Sequence, residues 1–330
     1  MSRDEVMKQK RNLPLLVSRE ACSGKTYIVT GANVGLGLEA ARHLAAVGAG
    51  KVILAVRNAG AGAAAKADID ATTGVAPNVV EVWSLDLSSY TSVKAFAKRA
   101  EAELERIDGL IENAAIAPSK RELAEGHVLA MTVNVLSTFL LAVLMIPVMK
   151  AKAAKVGGEM PTISIVASRV SFDYKEAWDK IKDDPIVGMD DEGFETLITY
   201  PTTKLMEIYA VKHLAGTLLP VEKAGVIINV LCPGLCTTEL VRNMPEEQYN
   251  AVRELQRLCG RTAEDGSRTL LQAVMAGKES HGRLQHSCED GEKDVPSWAA
   301  EDKEAHKRTW DVIAAELEAV EPGCVARILQ

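Results

Sequence analysis

Aromatic side chains are scarce in this sequence: four Phe, four Trp and six Tyr make up 4% of 330 residues. Such a chain does not build the ring-rich core of a β-sandwich. Ala, Val and Leu carry the apolar load, within a hydrophobic share of 47%, which suits helices packed on a buried parallel sheet. Basic excess is also missing. Thirty-eight Lys and Arg face 45 Asp and Glu, for a net charge of −7, so neither nucleic acid nor an anionic membrane is an expected partner. The six cysteines (Cys22, Cys232, Cys236, Cys259, Cys288, Cys324) show no disulfide rhythm. Cys232 and Cys236 lie four apart with no nearby His or Cys pair to complete a zinc pattern, so no metal site is expected. Met1 to Arg19 is charged and has no apolar core of the secretion-signal kind. A reduced, cytoplasmic protein is the simplest expectation.

Internal repeats and Pro/Ser-rich linkers are absent as well, and one domain over residues 1–330 is expected. There is one long hydrophobic run, Val128 to Met149, long enough to span a bilayer. It also contains Thr132, Asn134, Ser137, Thr138 and Pro147. A helix that is apolar all round is equally the buried helix of a large α/β protein, and that is the expectation here, with no membrane span.

What is present is alternation. Short β-branched runs, Thr26–Thr30, Lys51–Val56, Val79–Leu85, Gly109–Asn113, Thr162–Ala167 and Val226–Leu231, read as strands. Between them, Leu38–Val47, Ala59–Thr72, Ser89–Arg106, Arg121–Lys150 and Thr199–Leu219 read as helices. Strand–helix alternation predicts βαβ units: an α/β, doubly wound parallel sheet with helices on both faces. Residues 1–23 form an N-terminal arm. Two segments break the rhythm. Residues 169–199 are acidic with interspersed large apolar residues (Phe172, Trp178, Ile181, Ile186, Met189, Phe194), and read as a lid over a hydrophobic or polycyclic substrate. Residues 277–330 form a C-terminal extension ending in an amphipathic helix, about Ala300–Val320.

The first strand runs straight into Thr30-Gly31-Ala32-Asn33-Val34-Gly35-Leu36-Gly37. Glycines permit a tight turn and close backbone approach to a pyrophosphate, and the following helix N-terminus offers unpaired N–H groups to it. The position of the motif, more than the glycines themselves, makes it a dinucleotide signal. At the end of the second strand, Ala55-Val56-Arg57-Asn58 lacks the acid that would bind adenosine ribose hydroxyls. Arg57 stands there instead, and its fork suits a 2′-phosphate, so NADP(H) is the expected cofactor. The alternative is that Arg57 only covers the sheet.

Tyr200 and Lys204 are four apart on a predicted helix and share one face. A phenol is a poor base near neutral pH, and an adjacent ammonium favours its ionised form. The pair suits acid–base exchange between C–OH and C=O. Ser168 ends the preceding strand, with Ser164 and Ser171 as alternatives.

The Gly-x-x-x-Gly-x-Gly spacing, with these residues in this order, resembles the short-chain dehydrogenase/reductase superfamily over about residues 24–240. The resemblance implies roles for individual residues. Ser168 would polarise the substrate oxygen and Tyr200 exchange its proton. Lys204 would tune Tyr200 and hold the ribose, with Asn134 joined to the lysine through water. Gly31, Asn33, Gly35, Leu36 and Gly37 would cradle the cofactor's phosphates. Asp86, with Leu87, would meet its adenine, although an acid there also serves as a helix cap. Asn113 and Ala114 would lie along the cofactor. Pro233, Gly234 and Thr238 would meet its nicotinamide side. The chain departs from the family wording at Glu112 and Ala115, and Ala115 adds a methyl where the family has glycine.

The 32 positions from Ser168 to Tyr200, the wording Tyr200 to Leu205 and the long C-terminus look like the retinol-dehydrogenase and WW-domain-oxidoreductase branch. The wording Glu112-Asn113-Ala114 looks most like its fungal members, often found in secondary metabolism. The implied activity is NADP(H)-dependent interconversion of a ketone or aldehyde and an alcohol on a hydrophobic, polyketide-like small molecule. Non-redox chemistry on the same fold, or a cofactor-sensing scaffold, are the alternatives; a homodimer is compatible with either.

Overall fold

The computed structural model of the protein describes residues 6–329; the first five residues of the predicted arm lie outside them. Six predicted strands are present: β1 (Thr26–Thr30), β2 (Lys51–Val56), β3 (Val80–Ser84), β4 (Gly109–Glu112), β7 (Thr162–Val166) and β8 (Ile227–Cys232). β5 (Leu123–Ala124) and β6 (His127–Val128) form a separate hairpin. β9 (Leu284–His286) and β10 (Glu289–Asp290) complete one sheet in the order β10-β9-β8-β7-β4-β1-β2-β3. All its pairings are parallel except β9–β10. β1, β4, β7 and β8 are buried along their whole length, which is why they read as unbroken apolar runs rather than alternating ones.

Helices cover both faces. On one lie α1 (Gly35–Ala46), α2 (Ala59–Thr73) and α6 (Ala263–Met275), packed through Ala40, Leu44, Ile69 and Leu270. On the other lie α3 (Tyr90–Glu103), α4 (Ser137–Val156) and α5 (Thr196–His213). Outside these, α7 (Lys303–Val320) packs on α5, and α8 (Cys324–Leu329) on α4. The apolar run singled out from the sequence, Val128 to Met149, begins in β6, passes through a π-helical turn and ends inside α4, and the domain encloses it. The predicted C-terminal extension is therefore part of the core: Trp310 of α7 is buried edge-on to Phe139 of α4, with centroids 6.1 Å apart.

Several expectations are corrected. The helix expected over Arg121–Lys150 does not begin until after the β5–β6 hairpin. Glu125 and Gly126 both take positive φ, at 53° and 93°, which is the geometry of a tight hairpin turn. A π-helical turn, Met131–Leu136, then leads into α4. The Gly- and Ser-rich stretch after 277 hides β9, a parallel strand too short to show a period. The predicted lid is a 3₁₀ turn (Arg169–Tyr174) followed by short helices Lys175–Ile181 and Pro185–Asp190. Trp178, Ile181, Ile186 and Met189 are buried in the core, Trp178 edge-on to Tyr209 of α5. These four side chains fill the domain, and only Phe172 and Phe194 stay half-buried.

Replacing Trp310 with Ala should cost about 3–5 kcal/mol, the usual loss for a buried Trp that leaves a cavity. The check is the midpoint of urea unfolding; a midpoint like that of the wild type would make α7 an appendage rather than part of the core.

Candidate active site

β1 is central, with β2 on one side and β4 on the other. At that switch point the sheet opens a crevice beyond the strand ends. The glycine turn fills one side of it. Gly31 and Gly35 take φ of 65° and 63°, the left-handed region that strains other residues. Gly37 is needed for space: a Cβ there would lie 2.6 Å from Asn113 Nδ2 and 2.8 Å from the Gly31 carbonyl oxygen. Thr30 ties the turn to the end of β4. Its Oγ1 accepts from the Asn113 and Ala114 amides, each at 2.9 Å, and its carbonyl accepts from Asn113 Nδ2.

The turn also forms the first residues of α1, three earlier than the sequence pattern suggested. Val34 precedes that helix and offers no side-chain cap, and the first turn holds no acid. Its amides are left for an anion, as a pyrophosphate cradle requires. Asn33 and Leu36 are half-buried beside it. Gly35 faces Thr238, whose Cγ2 would stand 3.5 Å from an added Cβ. The loop after β8, carrying Pro233, Gly234 and Thr238, thus meets the glycine turn.

The other expected cofactor residues lie on neighbouring strand ends. Arg57 follows β2, exposed and with no ion-pair partner among the described residues. Asn58 beside it caps α2 by accepting from the Ala61 amide. Asp86 accepts from both the amide and the hydroxyl of Ser88 through Oδ1, closing the turn before the helix, whose cap is Ser89. Leu87 is buried next to it. These residues fit a dinucleotide: an uncapped helix start, glycines where a Cβ would collide, and a free guanidinium.

Ser168 leaves β7 at its C-terminal end; its hydroxyl accepts from the Val170 amide and stands close enough to the Tyr200 phenol to lower its pKa. Tyr200 is half-buried near the start of α5. Lys204 is buried one turn on, its Nζ 5.8 Å from the centre of the tyrosine ring. The ammonium donates to the Val166 carbonyl at 2.7 Å and to Glu207 Oε1 at 2.8 Å. Asn134 sits in the π-helical turn. Its side chain accepts from the Ile116 amide and donates to the Ile116 carbonyl and Thr203 Oγ1, at 2.9–3.0 Å. It therefore braces the segment after β4 against α5, and makes no direct bond to Lys204. These bonds account for the burial of Asn134, one of the polar residues in that apolar run.

Two site features were not read from the sequence. Glu207, three residues past Lys204 and on its face, is buried and paired with it. Burial raises its carboxyl to about 7 against the lowering effect of Lys204. The Tyr200 phenol is held above its ordinary value, first by burial and then by the Glu207 charge, while the Ser168 hydrogen bond lowers it. The sequence reading has Lys204 favour the ionised phenol; in the structure burial and then the Glu207 charge outweigh any such effect. The signal was present, a charged residue inside Leu205-Met206-Glu207-Ile208.

The second feature is the N-terminal arm, which ties down the loop after β8. Gln9 accepts from the Leu235 amide and donates to the Leu235 and Cys259 carbonyls. The fully buried Arg261 donates to the carbonyls of Lys10 and Pro233 and to Ser287. Gly234, at φ 80°, leaves room for both, since a Cβ would stand 2.6 Å from Arg261 Nη1 and Gln9 Oε1. Contacts over more than 200 residues of sequence carry no local pattern.

The comparisons with known proteins agree with this arrangement. The family model described as short chain dehydrogenase matches residues 25–177. A short chain dehydrogenase/reductase of Cryptosporiopsis sp. (strain 8999) is 42% identical over 308 residues, covering 91% of this chain and 93% of that protein. A short-chain dehydrogenase/reductase of Aspergillus flavipes is 34% identical over 304 residues, covering 91% and 88%. Two solved structures share the fold at 20% identity. One is a 3-oxoacyl (acyl-carrier-protein) reductase of Agrobacterium tumefaciens C58 with NADP bound (TM-score 0.61, covering 82% of this chain and 96% of that one). The other is an L-sorbose reductase of Gluconobacter frateurii complexed with NADPH and L-sorbose (TM-score 0.58, covering 80% and 95%). With the glycine turn, the serine and the tyrosine–lysine helix converging on one strand edge, and relatives this similar over nearly the whole chain, the protein belongs to the short-chain dehydrogenase/reductase family and is an oxidoreductase.

Proposed function

We propose that the protein is an NADP(H)-dependent reductase or dehydrogenase interconverting a ketone or aldehyde and an alcohol. The observation that carries this reading is the convergence of Ser168, Tyr200 and Lys204 beside the glycine turn, at the sheet's C-terminal edge. When bound, the nicotinamide supplies or takes the hydride. Ser168 donates a hydrogen bond to the substrate oxygen, and Tyr200 gives it a proton in reduction or removes one in oxidation. Lys204 uses two of its three N–H donors on Val166 and Glu207, and the third would hold the ribose. Thr238 and the Asn113-Ala114 backbone line the cofactor's path. Asn134 keeps that path in shape through Ile116.

The substrate is read as a hydrophobic small molecule, polyketide-like or polycyclic, in secondary metabolism. Support comes from the 3₁₀ turn after Ser168, which packs on α5 and presents Phe172 edge-on to Trp298, and from the fungal relatives. Six unpaired, buried thiols suit a reducing, cytoplasmic setting. The wide apolar face of α4 is already covered by α3 and α8, so a homodimer would need another surface.

NADPH consumption against a panel of hydrophobic ketones and aldehydes tests the reading. Tyr200→Phe should lower kcat about 10²-fold or more, as general acid–base loss does, with NADPH binding kept. A Phe variant turning over like the wild type would remove Tyr200 from the chemistry.

Arg57 tests the cofactor choice. A guanidinium facing a dianionic phosphate contributes about 1–3 kcal/mol. Arg57→Ala should therefore raise the NADPH dissociation constant about tenfold or more and leave NADH binding nearly unchanged. Fluorescence titration of both cofactors decides it; a wild type that prefers NADH, or equal loss of both, defeats the assignment.

A further inference from the structure

Behind the tyrosine–lysine pair lies a set of carboxyls that the proposed reaction does not use. Lys204, Glu207 and Glu112 are 2%, 1% and 3% exposed, so all three are shut off from bulk water. Glu207 gives one oxygen to the lysine ammonium, and its Oε2 has no hydrogen-bond partner among the described residues. Glu112 ends β4. Its register partner Ile165 and its neighbour-but-one Leu110 belong to the core on the α5 side of the sheet, and period-two alternation puts Glu112 on that side too. Neither of its oxygens has a partner among the described residues.

Burial, then the nearby Glu207 charge, hold the Glu112 carboxyl well above the ordinary carboxylate range. Glu207 has the ammonium beside it and titrates at about 7. Facing Tyr200 are Glu207 and Lys204 from its own helix, Cys232 at the end of β8, Cys236 in the following loop, and the Ser168 hydroxyl after β7.

We propose that Glu207 is a positioning residue: it holds Lys204 by its ammonium, offsets that charge, and leaves Tyr200 as a proton donor suited to carbonyl reduction. The inference rests on the reading of Tyr200 as the acid–base group. A lysine left unopposed draws a proton off a neighbouring phenol. A lysine bonded at 2.8 Å to a carboxylate presents a nearly neutral pair. The phenol then keeps its proton until the substrate oxygen, made basic by hydride arriving at the carbonyl carbon, takes it. The Tyr200 O–H bond breaks as the product O–H bond forms, and the tyrosine is reprotonated from solvent.

The sign is definite. Above about pH 7 Glu207 is ionised, so its opposition to Lys204 is fully present where a phenol titrates. Glu207→Gln keeps a carbonyl for the ammonium and removes only the charge. Tyr200 should then ionise at lower pH, by about one pH unit or more. The alkaline limb of reduction, which needs the phenol, and the acid limb of alcohol oxidation, which needs the phenolate, should both move down by that amount.

Two readouts test this. The first is the ultraviolet tyrosinate titration of the protein without cofactor, taken as the difference from the matching Tyr200→Phe protein; it needs no substrate. The second is the pH profile of NADPH-dependent carbonyl reduction. An earlier tyrosinate transition in Glu207→Gln, with the alkaline limb moved the same way, supports the proposal. An unmoved or later transition overturns it, even if the enzyme reduces carbonyls. Failure to reduce any carbonyl while the transition moves earlier defeats the reductase reading and leaves the tuning of Tyr200 standing. Should Glu207→Gln fail to fold by circular dichroism, Glu207→Asp, which withdraws the charge by one methylene, is expected to move the transition the same way by a smaller amount. No shift there overturns the proposal as well.

Discussion

Seven strands of the sheet run in the same direction, and this shared polarity is the constraint on which the site depends. A parallel sheet buried on both faces must satisfy its backbone through the ladder, and its chain must cross over through helices. Every crossover leaves from the same edge. The loops after β1, β2, β4, β7 and β8 are thus neighbours in space, although they span residues 31 to 240. The glycine turn, Arg57, Asn113, Ser168 and Thr238 each stand at a strand exit. None needs a long loop to reach the others, because the strand ends already sit side by side.

Space at the crevice is set by small residues and held by polar ties. Gly37 touches Asn113, and Thr30 bonds to the amides of both Asn113 and Ala114. Asn134 grips the next segment at Ile116 from a π-helical turn. Its backbone bonds span i→i+5 rather than i→i+4, and such π-bulges are common at functional sites. On the opposite wall, Gln9 and Arg261 anchor the loop after β8. Both walls are thus held from outside the site, and what it binds need not organise them.

The charge arrangement behind Tyr200 is unusual for a core. Burying an ion pair gains little net stability, and removing one partner typically costs about 3–5 kcal/mol. Lys204 and Glu207 form a pair under full burial, with a second carboxyl, Glu112, close behind and held well above its ordinary range. A hydrophobic trio of similar volume would serve the fold at least as well. The polar set is therefore best understood through what it does to the tyrosine in front of it.

The sequence by itself determined six strands of the sheet and the local motifs at their ends. Six strands were legible because buried parallel strands are written as short apolar runs between turn residues. The glycine turn, Ser168 and the Tyr200–Lys204 pair were legible because each motif is local: a few residues whose relation to one strand or one helix face is fixed by backbone geometry. Tertiary structure alone decided the rest, for two reasons. Some elements are too short or too irregular to carry a period, such as β9 and the β5–β6 hairpin. Others depend on contacts between distant segments. The 169–199 insertion reads as a lid from its composition, yet Trp178 and Met189 are drawn into the core by helices far along the chain, because burial depends on which surfaces meet. Glu207 was visible as a charge in an apolar helix, but only the folded structure showed that it is buried with Lys204 and accepts from its ammonium.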